Sequence, residues 1–156
     1  MAVPGKILST PPKIKVLEAL GSIADGRVKI VDENRAIVSS SMGEKEYTVY
    51  VDTIKGIAFS DDNGTRFRGY VGYPIIAVLM MKKLLPFEER IAAALSGIPW
   101  KELNEKFKKY ALVEDLVKRE AERRGVKGDE IEKFVSLVLN NLSKIPLRYV
   151  ENPPLL

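Results

Sequence analysis

The chain of 156 residues contains no cysteine, no histidine and no glutamine. Without cysteine it forms no disulfide and has no thiolate nucleophile, and without either cysteine or histidine it lacks the usual ligands of zinc. The missing histidine also removes the commonest general base near neutral pH. We therefore expect no metal site and no cofactor, and the sequence singles out no catalytic residue.

The chain has no glutamine, but it is rich in Lys, Arg, Glu, Ile and Val. This balance is typical of proteins adapted to heat, which favour ion-pair networks and avoid labile side chains. We therefore expect a thermophilic source. The net charge of +4 permits an acidic partner without requiring one.

Long hydrophobic runs are absent as well. The longest apolar run, Tyr73 to Met81, is far shorter than the roughly 20 residues of a membrane span, and the first residues show no signal-peptide pattern. We expect a cytoplasmic protein outside the membrane. With 46% hydrophobic and 29% charged residues, the chain has the composition of one folded domain over residues 1–156.

The first half of the chain predicts a helix followed by a sheet. Thr10 and the prolines after it resemble a helix start, and this helix should stop at Gly26. Residues 27–71 then alternate with a period of two and contain several turn signals, which predicts an antiparallel meander of four or five strands. Asn63-Gly64 is typical of a tight hairpin, which would place Asp61 opposite Arg66.

The second half predicts helices. Residues 73–145 contain an apolar segment, PIIAVLMMKKL, expected to form a helix packed on the sheet, and then several amphipathic segments. The predicted fold is therefore α+β: an N-terminal helix, an antiparallel four- or five-stranded meander and a C-terminal bundle of about four or five helices. The tail, residues 146–156, is rich in proline and should be irregular, with Leu155 and Leu156 available to pack on a neighbouring copy.

The segment RFRGYVGYP joins the predicted sheet to the first helix of the bundle. Its glycines would let backbone amides approach an anion, its arginines add charge, and its tyrosines offer stacking surfaces. The candidate phosphate-binding residues here are Arg66, Arg68, Gly69, Tyr70, Gly72 and Tyr73. The alternative is structural, because a tight connection under a buried helix also needs glycines for close packing and tyrosines at its edge.

The segment AAALSGIPWKELNEKFKKY resembles a helix-turn-helix, since Ala93, Gly97, Ile98 and Leu103 follow that pattern. Ser96 and Lys106 stand where the pattern prefers apolar residues. The spacing predicts that four side chains face the core, namely Trp100, Leu103, Phe107 and Tyr110. The residues left on the outward face, which suit phosphate and base-edge contacts, are Lys101, Asn104, Lys108 and Lys109.

The charges around this segment favour packed helices over a DNA-reading surface. Residues 99–128 contain nine Lys or Arg and six Asp or Glu, and the acids alternate with the bases.

Three hypotheses about the function stay open on the sequence. The first is a non-enzymatic binding module for nucleic acid or another phosphate-bearing partner, the second is a protein that assembles into a homo-oligomer, and the third is an enzyme using Asp, Glu, Lys or Tyr alone.

Overall fold

Five strands form one sheet in the order in which they occur along the chain. The computed structural model describes residues 1–153, and its strands are β1 (Val28–Ile30), β2 (Arg35–Ser39), β3 (Glu46–Asp52), β4 (Ile57–Ser60) and β5 (Arg148–Tyr149). Strands β1 to β4 pair antiparallel, as the alternating pattern predicts, and β5 joins β4 in parallel.

One helix precedes the sheet and the others follow β4. Within the described residues the helices are α1 (Ile14–Ala24), α2 (Asn63–Arg68), α3 (Tyr73–Met81), α4 (Glu89–Ala94), α5 (Trp100–Phe107), α6 (Tyr110–Arg123) and α7 (Gly128–Leu142). This order confirms the predicted α+β class, with an N-terminal helix, a mostly antiparallel sheet and a helical C-terminal region.

Helix α3 is the centre of the core and packs against both α1 and the sheet. Its residues from Pro74 to Met80 are all buried, as expected for a run without a polar face. Ile75, Ile76 and Leu79 expose none of their surface. Burying one such side chain stabilises the fold by about 1.5–3 kcal/mol.

The predicted hairpin at Asn63-Gly64 is wrong, because this segment begins helix α2. The Asp62 carboxylate caps the helix, accepting hydrogen bonds from the Thr65 amide at 3.0 Å and the Thr65 hydroxyl at 2.9 Å. Asp61 does not face Arg66. Its carboxylate instead accepts a hydrogen bond from the Thr48 amide of β3 at 2.9 Å.

Both ends of the chain also differ from the prediction. Helix α1 begins at Ile14 because Ser9, ahead of the prolines, pairs with residues 69–71 and keeps the segment extended. The tail is not irregular throughout, since Arg148 and Tyr149 form β5 beside β4. Leu155 and Leu156, predicted to support assembly, lie outside the described residues.

The helices around the predicted helix-turn-helix break where Lys108 adopts a left-handed conformation, with φ of 54°. The break ends α5 at Phe107 and starts α6 at Tyr110. Trp100 is buried, as predicted, and Leu103 and Phe107 are half-buried. Tyr110 is 41% exposed, so its predicted place in the core is wrong, because the break turns it away from the α5 stripe.

Among residues 1–153, we find no helix that is both long enough and apolar enough to cross a membrane.

Candidate functional site

A cavity of about 710 Å³ lies between α1, the β2–β3 hairpin loop (residues 40–45), the α2–α3 segment and α5. Its volume is within the range of small-molecule sites. The two segments that the sequence analysis treated as separate candidates meet in this cavity. The first provides Arg68, Tyr70 and Tyr73, and the second provides Lys101, Asn104 and Lys108.

Four predicted residues do not line the cavity, namely Arg66, Gly69, Gly72 and Lys109. The Gly72 amide donates a hydrogen bond to Thr65 Oγ1 at 3.0 Å, so it is already used within the protein. Gly69 ends α2 with φ of 71°, and its carbonyl accepts from Ser9. Arg66 lies over the Phe59 ring, 5.8 Å from its centroid. The glycines of this segment therefore shape the turn, and Arg68 and the tyrosines are what it contributes to the cavity.

The polar floor of the cavity comes from α1, where Lys15 and Glu18 stand one helical turn apart. Lys15 Nζ lies 3.1 Å and 3.4 Å from the two carboxylate oxygens of Glu18, and 5.2 Å from the centre of the Tyr110 ring. Burial alone would lower the pKa of Lys15, but the charge of Glu18 and the neighbouring tyrosines outweigh it and raise this pKa above its usual value. The ammonium is therefore charged at neutral pH.

Arg27, which precedes β1, places a buried guanidinium in the cavity wall. Its Nη1 donates to the Ser39 carbonyl at 2.7 Å and lies 3.5 Å from the Tyr73 hydroxyl. Its Nε is 3.5 Å from a carboxylate oxygen of Asp25 without forming a hydrogen bond, and Nη2 has no hydrogen-bond partner among the described residues. A buried donor left without a partner costs free energy. Both nitrogens expose less than 1 Å² of accessible surface, so they face other atoms of the protein and not the open space of the cavity.

Asn104, on α5, differs from Arg27 because its unpaired atom is an acceptor and not a donor. Its Nδ2 donates to Glu18 Oε1 at 2.7 Å, which ties α5 to α1. Its Oδ1 is buried and accepts no hydrogen bond from the part of the chain that the structure describes. The cavity wall thus carries an unpaired acceptor as well as unpaired donors.

Aromatic residues are concentrated in the cavity. Of the six tyrosines, four line it, together with the single tryptophan: Tyr47, Tyr70, Tyr73, Tyr110 and Trp100. The rings of Tyr47 and Tyr73 meet edge to face, with centroids 6.2 Å apart. Burial raises the pKa of Tyr47, Tyr70 and Tyr73, so these phenols are neutral hydrogen-bonding groups near pH 7.

Positive charge dominates the lining, with six cationic and three acidic side chains. The acids are Glu18, Asp62 and Glu105, and the cations are Lys15, Arg27, Lys45, Arg68, Lys101 and Lys108. The Lys101 ammonium pairs with Glu44 at 2.7 Å, and this hydrogen bond lowers the pKa of Glu44. The pair is solvent-accessible and therefore weak, so an anionic ligand can compete for Lys101.

On the predicted outward face of the helix-turn-helix segment, Lys108 and Lys109 are exposed, whereas Lys101 and Asn104 are half-buried and bonded within the protein. Gly97 adopts φ of 72°, and its amide donates to Asp25 Oδ1 at 2.7 Å. A recognition helix presents free side chains to base edges. On α5, Lys101 bonds Ser41 through its amide and Glu44 through its side chain, and Asn104 bonds Glu18. Of the four residues predicted to contact DNA, Lys101, Asn104 and Lys108 line the cavity and Lys109 does not.

Sequence reasoning missed most residues of this cavity, among them Lys15, Glu18, Arg27, Tyr47 and Tyr110. Glu18 had a detectable signal, because it interrupts the apolar residues of α1 at a buried position. Arg27 had none, because its burial depends on the Ser39 carbonyl and Tyr73, which only the folded chain brings near.

Comparison with known proteins gives a family. Neither a curated protein nor a solved structure matches this chain. One family model matches residues 8–148, a range that includes every cavity-lining residue from Pro12 to Tyr110. The chain belongs to the family described as "Uncharacterised conserved protein UCP014422".

Proposed function

We propose that this protein is a binding module for a small phosphate-bearing molecule, which it holds in the cavity between α1 and α5. The observation that carries this proposal is the guanidinium of Arg27. It lines the cavity as the least exposed of six cationic side chains, which outnumber three acidic ones, and arginine stays charged even where it is buried.

The other cations of the cavity support an anionic ligand. Lys45, Arg68 and Lys108 lie at its exposed rim, where they would attract an anion and then approach it. Lys101 is held only by an exposed ion pair. Several separate cations around one space suit the multiple charged oxygens of a phosphate better than a single carboxylate.

The titration of three polar groups in the cavity argues against their use as general bases. Lys15 has a raised pKa and is charged near neutral pH, and the pKa values of Tyr70 and Tyr73 are also raised. A general base must be unprotonated at the working pH. These three groups are protonated there and can donate hydrogen bonds to an anionic ligand.

The test uses Trp100, the only tryptophan, which lines the cavity. Its fluorescence is followed while inorganic phosphate, adenosine 5′-monophosphate or a single-stranded oligonucleotide is added at low and moderate salt. We expect saturable binding of the small phosphate compounds. Arg27→Met should weaken it by about thirtyfold or more, because a buried charged contact is worth at least about 2 kcal/mol.

Two variants control for charge and for folding. Arg27→Lys keeps the charge but not the planar fork, so its affinity should fall between those of wild type and Arg27→Met. Lys29→Met removes one positive charge from an exposed position of β1 outside the cavity and should leave affinity unchanged. Thermal unfolding of each variant verifies that it folds.

Three results would contradict the proposal. If none of the phosphate compounds binds at millimolar concentration, the cavity is not a phosphate site. Binding of the oligonucleotide without binding of the mononucleotide would instead favour a nucleic-acid surface. Equal losses in Arg27→Met and Lys29→Met would show that net charge, and not the buried guanidinium, controls the affinity.

A further inference from the structure

Three cations of the cavity are gathered around the β2–β3 hairpin loop. Arg27 Nη1 donates to the Ser39 carbonyl just before this loop at 2.7 Å, and the Lys101 amide donates to Ser41 Oγ within it at 3.0 Å. Lys45 is the last residue of the loop, and its side chain is exposed. All three cations line the cavity, and together they are called its loop end.

Two further cations lie where Tyr70 and Tyr110 meet. The Tyr70 phenol lies beside that of Tyr110. Arg68 stands two residues before the first tyrosine and Lys108 two residues before the second, so each cation's Cα lies within about 8 Å of a tyrosine's. Arg68 and Lys108 line the cavity and are called its tyrosine end. Both are exposed and form no ion pair with any residue from 1 to 153, so a ligand can reach their charges.

Helix α5 sets the distance between the two ends. Lys101 lies in its first turn and Lys108 is its C-terminal cap. This interval is about two helical turns, so the two residues lie on one face and about 10 Å apart along the axis. Glu44 pairs with the Lys101 ammonium at 2.7 Å and holds it at the loop end. A single phosphate group is much shorter than this distance and can bind at only one end.

The region between the two ends carries negative charge. Glu105 lies on α5 between them and lines the cavity. Glu18, which pairs with Lys15, contacts Asn104 in the middle of the same helix at 2.7 Å. Because like charges placed side by side repel, a phosphate in this middle region is disfavoured. The region therefore suits an uncharged part of a ligand.

Building on the proposed phosphate-binding function, we infer that the ligand carries two phosphate groups, separated by an uncharged spacer. One phosphate binds at the loop end, and the other binds Arg68 and Lys108 at the tyrosine end. The six cationic and three acidic side chains of the lining leave a charge of +3, which exceeds the roughly −1.5 to −2 of one phosphate at pH 7. The cavity of about 710 Å³ has room for a spacer the size of a sugar.

Titration calorimetry of the unaltered protein tests this with fructose 1,6-bisphosphate, fructose 6-phosphate, pyrophosphate and inorganic phosphate in one buffer. The two sugars differ by one phosphate, and pyrophosphate has two phosphates without a spacer. We expect fructose 1,6-bisphosphate to bind at least about tenfold more tightly than each of the others, because only this compound makes charge-assisted hydrogen bonds at both ends.

The double variant Arg68→Met with Lys108→Met tests the tyrosine end. Its readout is the ratio of the affinities for fructose 1,6-bisphosphate and fructose 6-phosphate, which should fall below about threefold because the second phosphate loses its partners. The matched control is Lys55→Met with Lys144→Met, which removes two positive charges from exposed positions outside the cavity. This control should keep the ratio at about tenfold or more.

The outcomes separate this inference from the function on which it rests. Equal binding of the two fructose phosphates would overturn the second phosphate, and equally tight binding of pyrophosphate would overturn the spacer. A ratio that survives Arg68→Met with Lys108→Met, or that falls equally in the control, would overturn the role of the tyrosine end. Each of these results leaves the phosphate-binding function standing.

If none of the four compounds binds, the proposed function itself fails. The comparison of ligands uses wild-type protein, so it does not depend on the folding of either double variant.

Discussion

Two walls of the cavity differ in how they use their polar atoms. In the α2 wall, residues 62–73, Asp62 caps Thr65 and the Thr65 hydroxyl accepts from the Gly72 amide, so these groups satisfy one another. In the α5 wall, residues 100–108, Asn104 leaves Oδ1 unpaired and Lys101 has only an exposed ion pair. The α2 wall holds the shape of the cavity, and the α5 wall places the cations Lys101 and Lys108 along it.

This contrast corrects a common inference from sequence. A segment with spaced glycines and nearby arginines suggests a loop that cradles phosphate. Here the second glycine is required because a side chain would collide with the Asp62 carboxylate, and its amide is bound to Thr65. A glycine indicates that another group lies close to the backbone. Here that group is the Asp62 carboxylate of the protein itself and not a ligand.

The largest expected effect comes from breaking the α2 wall with Gly72→Ala. A methyl group at this position would lie 2.1 Å from Asp62 Oδ2, and both residues are buried. We expect the free energy of unfolding, measured by chemical denaturation, to fall by about 3 kcal/mol. Gly128→Ala is the control, because no atom lies within 4 Å of the added methyl group, and it should change stability by no more than about 1 kcal/mol.

If Gly72→Ala were as stable as wild type, the network of Asp62, Thr65 and Gly72 would not be rigid. The distinction between the two walls would then have no energetic basis.

A smaller effect is expected in the α5 wall for Lys108→Gly, which should raise stability and lower phosphate affinity. Lys108 adopts φ of 54°, a conformation that glycine tolerates better, so the variant should be more stable by about 1 kcal/mol. It also removes a cation from the cavity rim, so phosphate affinity should fall severalfold. Denaturation and calorimetry measure the two effects.

Lys83→Gly is the matched control for this variant. Lys83 also has a positive φ, of 63°, but it does not line this cavity. It should gain similar stability and keep full phosphate affinity. A drop in affinity for Lys83→Gly as well would mean that the loss reflects overall charge and not the α5 wall.

The smallest expected effect is a loss of stability at alkaline pH, caused by two tyrosines of the α2 wall. Burial raises the pKa of Tyr70 and Tyr73 above the ordinary value of 10.0. Because the folded state holds these protons more tightly than the unfolded state, their contribution to stability is complete below pH about 10 and is lost as pH rises through the raised values. The melting temperature should fall above pH 10.0, the ordinary value, and less steeply in Tyr73→Phe.

Absorbance of the ionised phenol gives an independent check on the same groups. We expect part of the tyrosine population to ionise only above the ordinary pKa. Complete ionisation at the ordinary pKa in the folded protein would show that water reaches Tyr70 and Tyr73, and the α2 wall would not be closed.

The sequence alone determined the fold class, because it depends on local patterns. The period of two in residues 27–71 predicts strands, which is correct as far as Ser60 and wrong at Asn63–Arg68, and the apolar run of α3 predicts a buried element. Asn63-Gly64 forms no hairpin, because a hairpin and a capped helix begin with similar polar residues and the contact between Asp62 and Thr65 selects the helix.

Only the tertiary structure decided the site. The candidates on the α2 and α5 walls were visible as separate segments, but no local pattern states that residues some thirty positions apart face one cavity. Arg27 and Glu18 belong to the site because the fold buries them beside Tyr73 and Asn104, and the sequence around each residue does not show this burial. Secondary structure follows from neighbours in sequence, whereas a binding site follows from the long-range packing that brings distant side chains out of water together.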